Sequence, residues 1–310
     1  MTSFALAGIQ MHVGNHDNCD SIERHVRATL AGFPWVQMVV VGEAAPVGFR
    51  RDLAVELPGP LEDRFRELAR SLGIWLIPGS FMERAGAAIH NTASVIAPSG
   101  EVVARYRKLF PFYPYEDFVT PGEEVCVFDV PEVGRFGLSI CYDKWFPEMQ
   151  RQMCWQGAEV VLQVTATGTV DRDVELAIAR ANAAINQCYF VDVNGAKGPF
   201  GNGRSVVYAP EGELIHEAGE MEEVFPFTLN MERVRRTRHV GFHGLGQVLK
   251  SFRDSRVVLP AYQAGREVSP EMAALGPLRM PGRQDIARGR MVEAEVVALA
   301  PDRRTGTAGD

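Results

Sequence analysis

The sequence contains little that is typical of a secreted protein or a metal-binding protein. Its 310 residues include five cysteines, which are Cys19, Cys126, Cys141, Cys154 and Cys188, and no two of them form a Cys-x-x-Cys pair. An odd number of widely spaced cysteines indicates neither a disulfide framework nor a zinc knuckle. We therefore expect a protein of a reducing compartment that binds no metal and needs no cofactor.

Positive charge and long apolar segments are also scarce. The formal net charge is -7, so the chain has no basic field that would attract nucleic acid or an anionic membrane surface. No apolar run approaches the roughly 20 residues that a membrane-spanning helix requires. The opening segment, MTSFALAGIQMHVG, lacks the basic region of a signal peptide and predicts a strand. These features predict a cytoplasmic protein without nucleic-acid or membrane partners.

Apolar residues, in contrast, are frequent enough to form a large core. They make up 46% of the chain and charged residues 23%, which is typical of one compact domain. Four apolar residues from Leu61 to Leu72 recur at helical spacing before Gly73, and they predict a helix over 61–72. A second helix is predicted over 173–187. Runs rich in β-branched residues predict strands near 4–10, 36–42, 74–79, 92–97, 101–106, 135–140, 159–164, 188–194, 203–209 and 224–229.

The connections between these elements predict a layered architecture. Turns with the sequences Pro-Ser-Gly at 98–100 and Pro-Glu-Gly-Glu at 210–213 join neighbouring strands as hairpins, whereas helices separate other strands. This mixture predicts an α/β fold whose sheets combine parallel and antiparallel strands. We expect one domain over 1–264. The periodic pattern weakens over 265–310, which predicts an extension with a disordered polar end.

One cysteine lies where a strand meets a turn. The apolar run 135–140 leads directly into Cys141, and Pro147 and Glu148 then begin a helix. A strand-to-helix turn exposes a nucleophile and points the next backbone N–H, that of Tyr142, at the reacting carbonyl. Considered alone, a free cysteine is more often an ordinary buried thiol.

A carboxylate and an amine follow two other strand-like segments. Glu43 ends the apolar run 37–42, and Lys108 lies in the segment Tyr-Arg-Lys-Leu-Phe-Pro at 106–111. Each of these charges alone would be interpreted as solvated and exposed. Together with Cys141, however, they supply the acid–base group, the cation and the nucleophile that hydrolysis of an amide requires.

These three motifs, in this order, resemble the nitrilase (carbon–nitrogen hydrolase) superfamily, and the resemblance covers residues 4–260. It implies that Glu43, Lys108 and Cys141 form the catalytic set. It also implies that Glu116 is the additional glutamate of the amidase branch. Supporting matches are the segment His-Asn-Thr-Ala at 90–93 and the dipeptide Pro-Glu at 147–148.

The resemblance implies a fold and an assembly as well. The fold is a four-layer αββα sandwich with mixed parallel and antiparallel sheets. The chain is expected to form a homodimer or a larger homo-oligomer. The extension 265–310 is a candidate for packing on a neighbouring subunit.

The implied mechanism is amide hydrolysis through a thioester, with the amide and water as the small-molecule partners. Cys141 attacks the carbonyl, and Glu43 accepts the thiol proton as general base. Lys108 and the backbone N–H of Tyr142 stabilise the oxyanion. Glu116 either orients the substrate amide or holds the lysine in place.

Residues near the nucleophile and the lysine indicate the substrate. Nitrilases of the family typically have Trp-Glu after the cysteine, whereas this chain has Tyr142 and Asp143, which favours amide over nitrile hydrolysis. Trp145 occupies a position where carboxylate-binding branches carry an arginine, and Tyr113 and Tyr115 follow the catalytic lysine. Such aromatic residues predict an apolar pocket for a small neutral amide. Plain core packing would account for them equally well.

Other interpretations stay open beside this one. Lys144 is able to bind an anion, so an N-carbamoyl (ureido) amide is the alternative substrate. A catalytically silent subunit that only mediates interactions is a further alternative, although its catalytic positions would then have no use.

His239 and His243 have the spacing of helical zinc ligands, but Gly241 between them predicts a loop. The arginine-rich run 233–238 predicts a solvated helix face, and no histidine stands in the partner motif of a Cys–His hydrolase.

Overall fold

The structure is a computed structural model that describes residues 2–113, 115–263 and 269–274. The chain forms two compact units. The first unit comprises Met1–Pro111 and Phe118–Asp254, and it contains two sheets together with the helices that cover them.

Among the described residues, thirteen strands form the two sheets. The strands are β1 (Ser3–Gln10), β2 (Met38–Val41), β3 (Trp75–Ile77), β4 (Ser80–Ala85), β5 (Ala88–Ile96), β6 (Val102–Arg107), β7 (Cys126–Val130), β8 (Gly134–Ile140), β9 (Val160–Val164), β10 (Tyr189–Val193), β11 (Val206–Tyr208), β12 (Leu214–Glu217) and β13 (Glu223–Asn230). Seven form one sheet in the order β13-β1-β2-β3-β5-β4, with β6 paired to β5, and six form the other in the order β12-β11-β10-β9-β8-β7. Parallel pairs lie at the centre of each sheet and antiparallel pairs flank them.

The inner faces of the two sheets share one core. In β2, Met38 and Val40 belong to that core, whereas Val39 and Val41 belong to a second cluster on the outer face. Leu138 of β8 lies in the shared core from the opposite sheet. Because successive side chains of a strand point to opposite faces, a central strand that is covered on both sides must be apolar throughout.

Two helices cover the outer face of each sheet, and the structure describes seven α-helices in all. The helices are α1 (Cys19–Gly32), α2 (Pro60–Leu72), α3 (Pro147–Trp155), α4 (Arg172–Asn186), α5 (Met231–Val240), α6 (Val248–Asp254) and α7 (Pro270–Ala273). Val26 and Phe65 bring α1 and α2 onto the seven-stranded sheet, and Met153 and Ala179 bring α3 and α4 onto the six-stranded sheet. The order helix, sheet, sheet, helix confirms the predicted αββα sandwich. In the part of the chain that the structure describes, none of these helices combines the length and hydrophobicity that crossing a bilayer would require.

Several predicted elements are confirmed with small shifts of their ends. The predicted helix 61–72 is α2, and Gly73 ends it in the left-handed conformation with φ of 66°. The helix predicted over 173–187 is α4. Both predicted hairpins are present, as β5–β6 and β11–β12. Helix α1 and strands β4 and β7 were not predicted.

The second unit comprises Phe112–Asp117 and the chain from Ser255 on. Its described part contains a short 3₁₀ turn at Pro260–Tyr262 and α7, which begins where Ser269 Oγ accepts a hydrogen bond from Met272 N at 3.2 Å. The predicted boundary between a domain and an extension at residue 264 stays a prediction. Residues 264–268 and 275–310 lie outside the described residues, and so do most of the predicted extension and its polar end.

Candidate active site

Cys141 is the first residue after β8, and its backbone has a left-handed φ of 46°. A residue with a side chain is strained in that conformation, and such strain is typical of nucleophiles on strand-to-helix turns. The turn continues as a 3₁₀ helix over Cys141–Trp145. Cys141 keeps 8% of its surface exposed. The strand-to-turn position agrees with the prediction from sequence.

Two polar side chains that sequence patterns did not reveal contact Cys141. Thr167 Oγ1 lies 3.8 Å from the sulfur, and Gln163 Nε2 donates to the carbonyl oxygen of Cys141 at 2.9 Å. Asn194 holds Thr167 in turn, because its Oδ1 accepts from Thr167 N at 2.8 Å. These contacts set the conformation of the turn and place a hydroxyl group beside the thiol.

Glu43 follows β2, and its side chain is buried. Its backbone N donates to Thr165 O at 3.1 Å, so the ends of β2 and β9 are joined across the two sheets. The next residue, Ala44, has a φ of 52° and donates from its backbone N to Ser80 Oγ at 2.9 Å. These bonds hold the carboxylate beyond the carboxyl ends of parallel strands, where open α/β sheets commonly place their sites.

Lys108 follows β6, and its Nζ donates to Glu43 Oε1 at 2.8 Å although the two residues are 65 positions apart. Asn91 of β5 binds both of them. Its backbone oxygen accepts from Lys108 N at 2.8 Å, and its Nδ2 donates to Glu43 Oε1 at 2.8 Å. The structure therefore brings the predicted acid and the predicted amine into direct contact. In the sequence, Asn91 was visible only as part of a family segment.

The environment of the Cys141 thiol favours its neutral form. Burial raises the pKa of this thiol well above its usual value of 9.0, and the negative charge of Glu43 raises it further, whereas Lys108 lowers it. A neutral thiol must give its proton to a base when it attacks a carbonyl. Glu43 is the charged group whose effect on the pKa of the thiol is largest.

Asp143 lies two residues after the nucleophile and was not among the predicted site residues. Its buried carboxylate accepts hydrogen bonds from Tyr106 Oη at 2.6 Å, Ile140 N at 2.9 Å and Phe110 N at 3.0 Å. Burial raises the pKa of Asp143 from 3.8 to about 6, although the charge of Lys108 and these hydrogen bonds act in the opposite direction.

Lys144 lies in a buried ion cluster. Its Nζ donates to Asp192 Oδ2 at 2.8 Å, Glu175 Oε2 at 3.2 Å and Thr165 Oγ1 at 3.3 Å. Arg172 Nη1 contacts the same two carboxylates at 2.9 and 3.0 Å. An ammonium group has three donors, and all three are used here. Lys144 therefore has no free donor for the contact with a substrate anion that the alternative substrate would require.

Aromatic side chains line the turn that carries the nucleophile. The ring of Tyr142 lies 6.3 Å from that of Trp145 and meets the ring of Phe146 edge-on at 5.2 Å. Phe146 stacks on Phe110 at 3.6 Å. Trp145 Nε1 donates to Glu175 Oε1 at 3.4 Å, so its indole N–H faces the buried ion cluster.

Comparison with known proteins identifies the family of the chain. The family model described as carbon-nitrogen hydrolase matches residues 5–239. The chain belongs to this family. Formamidases from Bacillus thuringiensis and Bacillus anthracis are 30% identical to this carbon-nitrogen hydrolase over 181 residues, which cover 56% of it. The chain spans about half the length of these relatives, since the match covers 54% of each.

Solved structures of the nitrilase superfamily share the fold. Nit3 from Saccharomyces cerevisiae matches with a TM-score of 0.72 at 24% identity, over 77% of this chain and 94% of its own. An amidase from Nesterenkonia sp. matches with a TM-score of 0.69 at 25% identity, over 77% of this chain and 95% of its own. A cysteine-to-alanine variant of that amidase was solved in complex with butyramide, and a glutamate-to-glutamine variant carries acrylamide added to its active-site cysteine.

Three predicted site residues belong to the second unit of the hydrolase. Glu116 Oε2 accepts from Phe112 N at 2.6 Å, and Glu116 N donates to Phe112 O at 3.0 Å. The ring of Tyr115 stacks with that of Phe112 at 5.8 Å, and Tyr113 lies in the same turn. The roles of Glu116, Tyr113 and Tyr115 in catalysis or binding stay predictions.

The histidine and arginine motifs lie on or after α5. His239 is in its last turn, and Gly241, with φ of 86°, ends the helix before His243. The two histidines therefore do not share a helix, as the glycine predicted. Within residues 2–113, 115–263 and 269–274, no group of three or more His, Cys, Asp or Glu side chains is arranged to hold a metal ion.

Proposed function

We propose that this carbon-nitrogen hydrolase releases ammonia or an amine from small neutral amides through a thioester on Cys141. The observation that carries the proposal is the buried ion pair of Glu43 and Lys108, whose charges both act on the Cys141 thiol. The strained turn at Cys141 supports the same assignment. Similarity to formamidases and to an amidase that binds butyramide supports amides as the substrate class.

In the proposed cycle, Glu43 accepts the thiol proton while Cys141 Sγ forms a bond to the amide carbon. Lys108 Nζ and the backbone N–H of Tyr142 stabilise the oxyanion. The C–N bond then breaks, and Glu43 returns the proton to the departing nitrogen. A water molecule that Glu43 deprotonates attacks the thioester, the C–S bond breaks, and the acid leaves while the thiol regains its proton. Glu116 is assigned to orient the amide nitrogen or the lysine, on family resemblance alone.

The contacts of Lys144 favour a neutral substrate over an N-carbamoyl acid. Its three donors are engaged by protein oxygens, so it offers no charge to a substrate carboxylate. The side chains of Tyr142, Phe146 and Phe110 instead form an aromatic surface between the nucleophile turn and the segment after Lys108. Apolar walls with a few convergent polar groups are typical of sites for small uncharged ligands.

A panel of substrates with ammonia release as the readout tests the proposal. It compares formamide, acetamide, butyramide and acrylamide with N-carbamoylglycine, N-carbamoyl-β-alanine and butyronitrile. We expect kcat/KM for the best neutral amide to exceed that of every other compound by at least about tenfold, which corresponds to about 1.4 kcal/mol. A preference for the N-carbamoyl acids or the nitrile would contradict the assignment of the substrate.

The Cys141→Ala variant is the control for the panel. It removes the sulfur together with its long 3.8 Å contact to Thr167 Oγ1 and, among the described residues, no other side-chain hydrogen bond, so the folded state should keep its melting temperature within a few degrees while turnover disappears. Retained turnover in this variant would exclude a thioester on Cys141. Wild-type protein without activity on any compound would favour a catalytically silent subunit.

We also propose that the hydrolase forms a homodimer or a larger homo-oligomer. Apolar side chains of Trp155, Val174 and Ile185 are exposed on α3 and α4, the outer helices of the six-stranded sheet. Exposed apolar residues that cluster on one layer are typical of subunit contacts. Light scattering after size-exclusion chromatography gives the mass directly, and a mass near 34 kDa for the particle would indicate a monomer.

A further inference from the structure

Asp143 connects the two segments that carry the reacting groups. One of its oxygens accepts from Phe110 N at 3.0 Å, and the other accepts from Tyr106 Oη at 2.6 Å and from Ile140 N at 2.9 Å. Tyr106 Oη also accepts from Leu109 N at 3.2 Å. The carboxylate has no measurable exposure, so water does not compete for these bonds.

The positions of these donors in the chain are informative. Tyr106, Leu109 and Phe110 surround Lys108 in the sequence, and Ile140 immediately precedes Cys141. A single carboxylate therefore bonds to both sides of the lysine and to the strand end that bears the nucleophile. The stacking of Phe110 on Phe146 at 3.6 Å joins the same two segments a second time.

We propose that Asp143 is a positioning residue that sets the placement of Lys108 relative to Cys141 and so the geometry of the oxyanion site. The proposal rests on the proposed function, in which these two residues act on one amide carbonyl. Asp143 does not itself touch the substrate. It acts through the backbone of the lysine segment and through the backbone of the nucleophile turn.

The hydrogen-bond pattern requires that both side-chain oxygens of Asp143 act as acceptors. An asparagine at position 143 has one acceptor and one NH₂ donor. In one orientation its NH₂ group would face Phe110 N–H, and in the other it would face Ile140 N–H. Either orientation releases one of the two segments, so Asp143→Asn should loosen the site while it changes the side chain by a single atom.

If Asp143 had only a structural role, we would expect a different result. Loss of a buried carboxylate would then lower the fraction of folded protein, but each folded molecule would turn over normally. A displaced oxyanion donor instead lowers kcat of the folded enzyme and leaves KM nearly unchanged, because the donor acts on charge that develops in the transition state. The two roles are separated by expressing kcat per active site.

The experiment compares wild-type, Asp143→Asn and Glu62→Gln proteins. Glu62 is the matched control, because it is a buried carboxylate that accepts from Ser94 Oγ at 2.6 Å and from Arg105, away from the nucleophile turn. Active sites are counted by the mass increase of Cys141 after reaction with 2-chloroacetamide. We expect Asp143→Asn to lower kcat per site about 100-fold with KM changed less than about threefold, and Glu62→Gln to stay within about twofold of the wild type.

Equal kcat per site in Asp143→Asn and wild-type protein would overturn the proposal, and so would an equal loss in Glu62→Gln. Should Asp143→Asn fail to fold, Tyr106→Phe takes its place, because it removes only the hydroxyl that bridges Asp143 and Leu109 N. We expect about a tenfold fall in kcat per site for Tyr106→Phe, and no fall would count against the positioning role.

The labelling rate separates this proposal from the proposed function. The carbonyl of 2-chloroacetamide occupies the same oxyanion site as a substrate amide, so its rate of reaction with Cys141 should fall about tenfold in Asp143→Asn. If wild-type protein turned over no amide while the labelling rate still fell in Asp143→Asn, the result would contradict the substrate assignment and support the positioning role. An unchanged labelling rate together with unchanged turnover would contradict the positioning role alone.

Discussion

Two buried lysines, one before and one after Cys141 in the sequence, contact carboxylates. They illustrate different uses of the same kind of ion pair. Lys108 and Lys144 each donate to a carboxylate at 2.8 Å, and both side chains are almost completely buried. The charges of Lys108 and of its partner Glu43 both act on the pKa of the Cys141 thiol, in opposite directions. Lys144 belongs instead to a cluster of two cations and two carboxylates in which its three donors bind protein oxygens.

The difference shows that proximity in sequence is a poor guide to function at this site. Lys144 is three residues from Cys141 and is engaged in holding the turn, whereas Lys108 belongs to a distant strand end and contacts Glu43. A lysine next to the nucleophile in sequence was therefore the weaker candidate for contact with a substrate.

The largest effect is expected from Lys108→Met. Because it removes the side-chain donor of the proposed oxyanion site, kcat should fall about 10³-fold, within the range that is typical for loss of such a donor. The measurement is kcat per labelled Cys141 on the best amide of the panel. A loss smaller than about tenfold would mean that Lys108 only holds Glu43 in place.

Lys144→Met should lower the stability of the protein more than it lowers kcat. It leaves Arg172 with two carboxylates in a buried site, and the free energy of unfolding should fall by about 3–5 kcal/mol. Denaturant unfolding measures this change, and kcat per labelled site should stay within about tenfold of the wild type. If Lys144→Met unfolded normally but lost activity on every substrate, Lys144 would have to act in the reaction directly.

Asp143 and Asp192 should make the stability of the protein depend on pH in opposite directions. Burial raises the pKa of Asp143 from 3.8 to about 6, so its contribution to stability is complete below pH 3.8 and is lost as the pH rises through 6, by about 3 kcal/mol. Burial also opposes ionisation of Asp192, but Arg172 and Lys144 outweigh it and lower the pKa to about 2. Its contribution of about 2 kcal/mol is therefore present above pH 3.8 and lost as the pH falls through 2.

Unfolding free energies of wild-type, Asp143→Asn and Asp192→Asn proteins from pH 3 to pH 8 test this contrast. The difference between wild-type and Asp143→Asn proteins should decrease from pH 4 to pH 7, because the ionised carboxylate is the less stable form in the folded protein. The difference between wild-type and Asp192→Asn proteins should be nearly constant over that range. Parallel curves for all three proteins would refute the two opposite shifts.

The smallest effect is expected from Trp145→Phe. The change removes the long 3.4 Å hydrogen bond to Glu175 and keeps an aromatic ring beside Tyr142. Stability should fall by about 0.5–1 kcal/mol, and kcat/KM for the best neutral amide should change less than about threefold. A larger change in kcat/KM with unaltered stability would show that the indole contacts the substrate, as the sequence predicted.

Elements with more buried residues were predicted more accurately from the sequence. Strand β2 lies at the centre of a sheet and is covered on both faces, so its run Met-Val-Val-Val carried an unmistakable apolar signal. Strand β7 lies at the edge of the other sheet, where exposed Asp129 interrupts a short apolar run. Helix α1 buries about one side chain per turn, such as Ile22 and Val26, so half of its residues are polar and its apolar pattern is weak.

The site was predictable to the extent that its groups follow strands. Glu43, Lys108 and Cys141 each stand at a strand end, and family resemblance connected them before their contacts were known. Asn91 and Asp143 were not recognised, because both lie inside or beside motifs and their importance comes from hydrogen bonds to distant segments.

The sequence by itself determined the layered α/β fold and the candidate for the nucleophile, because alternating apolar runs and a cysteine at a strand end are local properties of the chain. Only the tertiary structure decided which lysine contacts Glu43, which one is enclosed in an ion cluster, and whether the pKa of a buried carboxylate is raised or lowered. Such properties depend on burial and on the sum of nearby charges, and both arise when segments as distant as Glu43 and Lys108 meet.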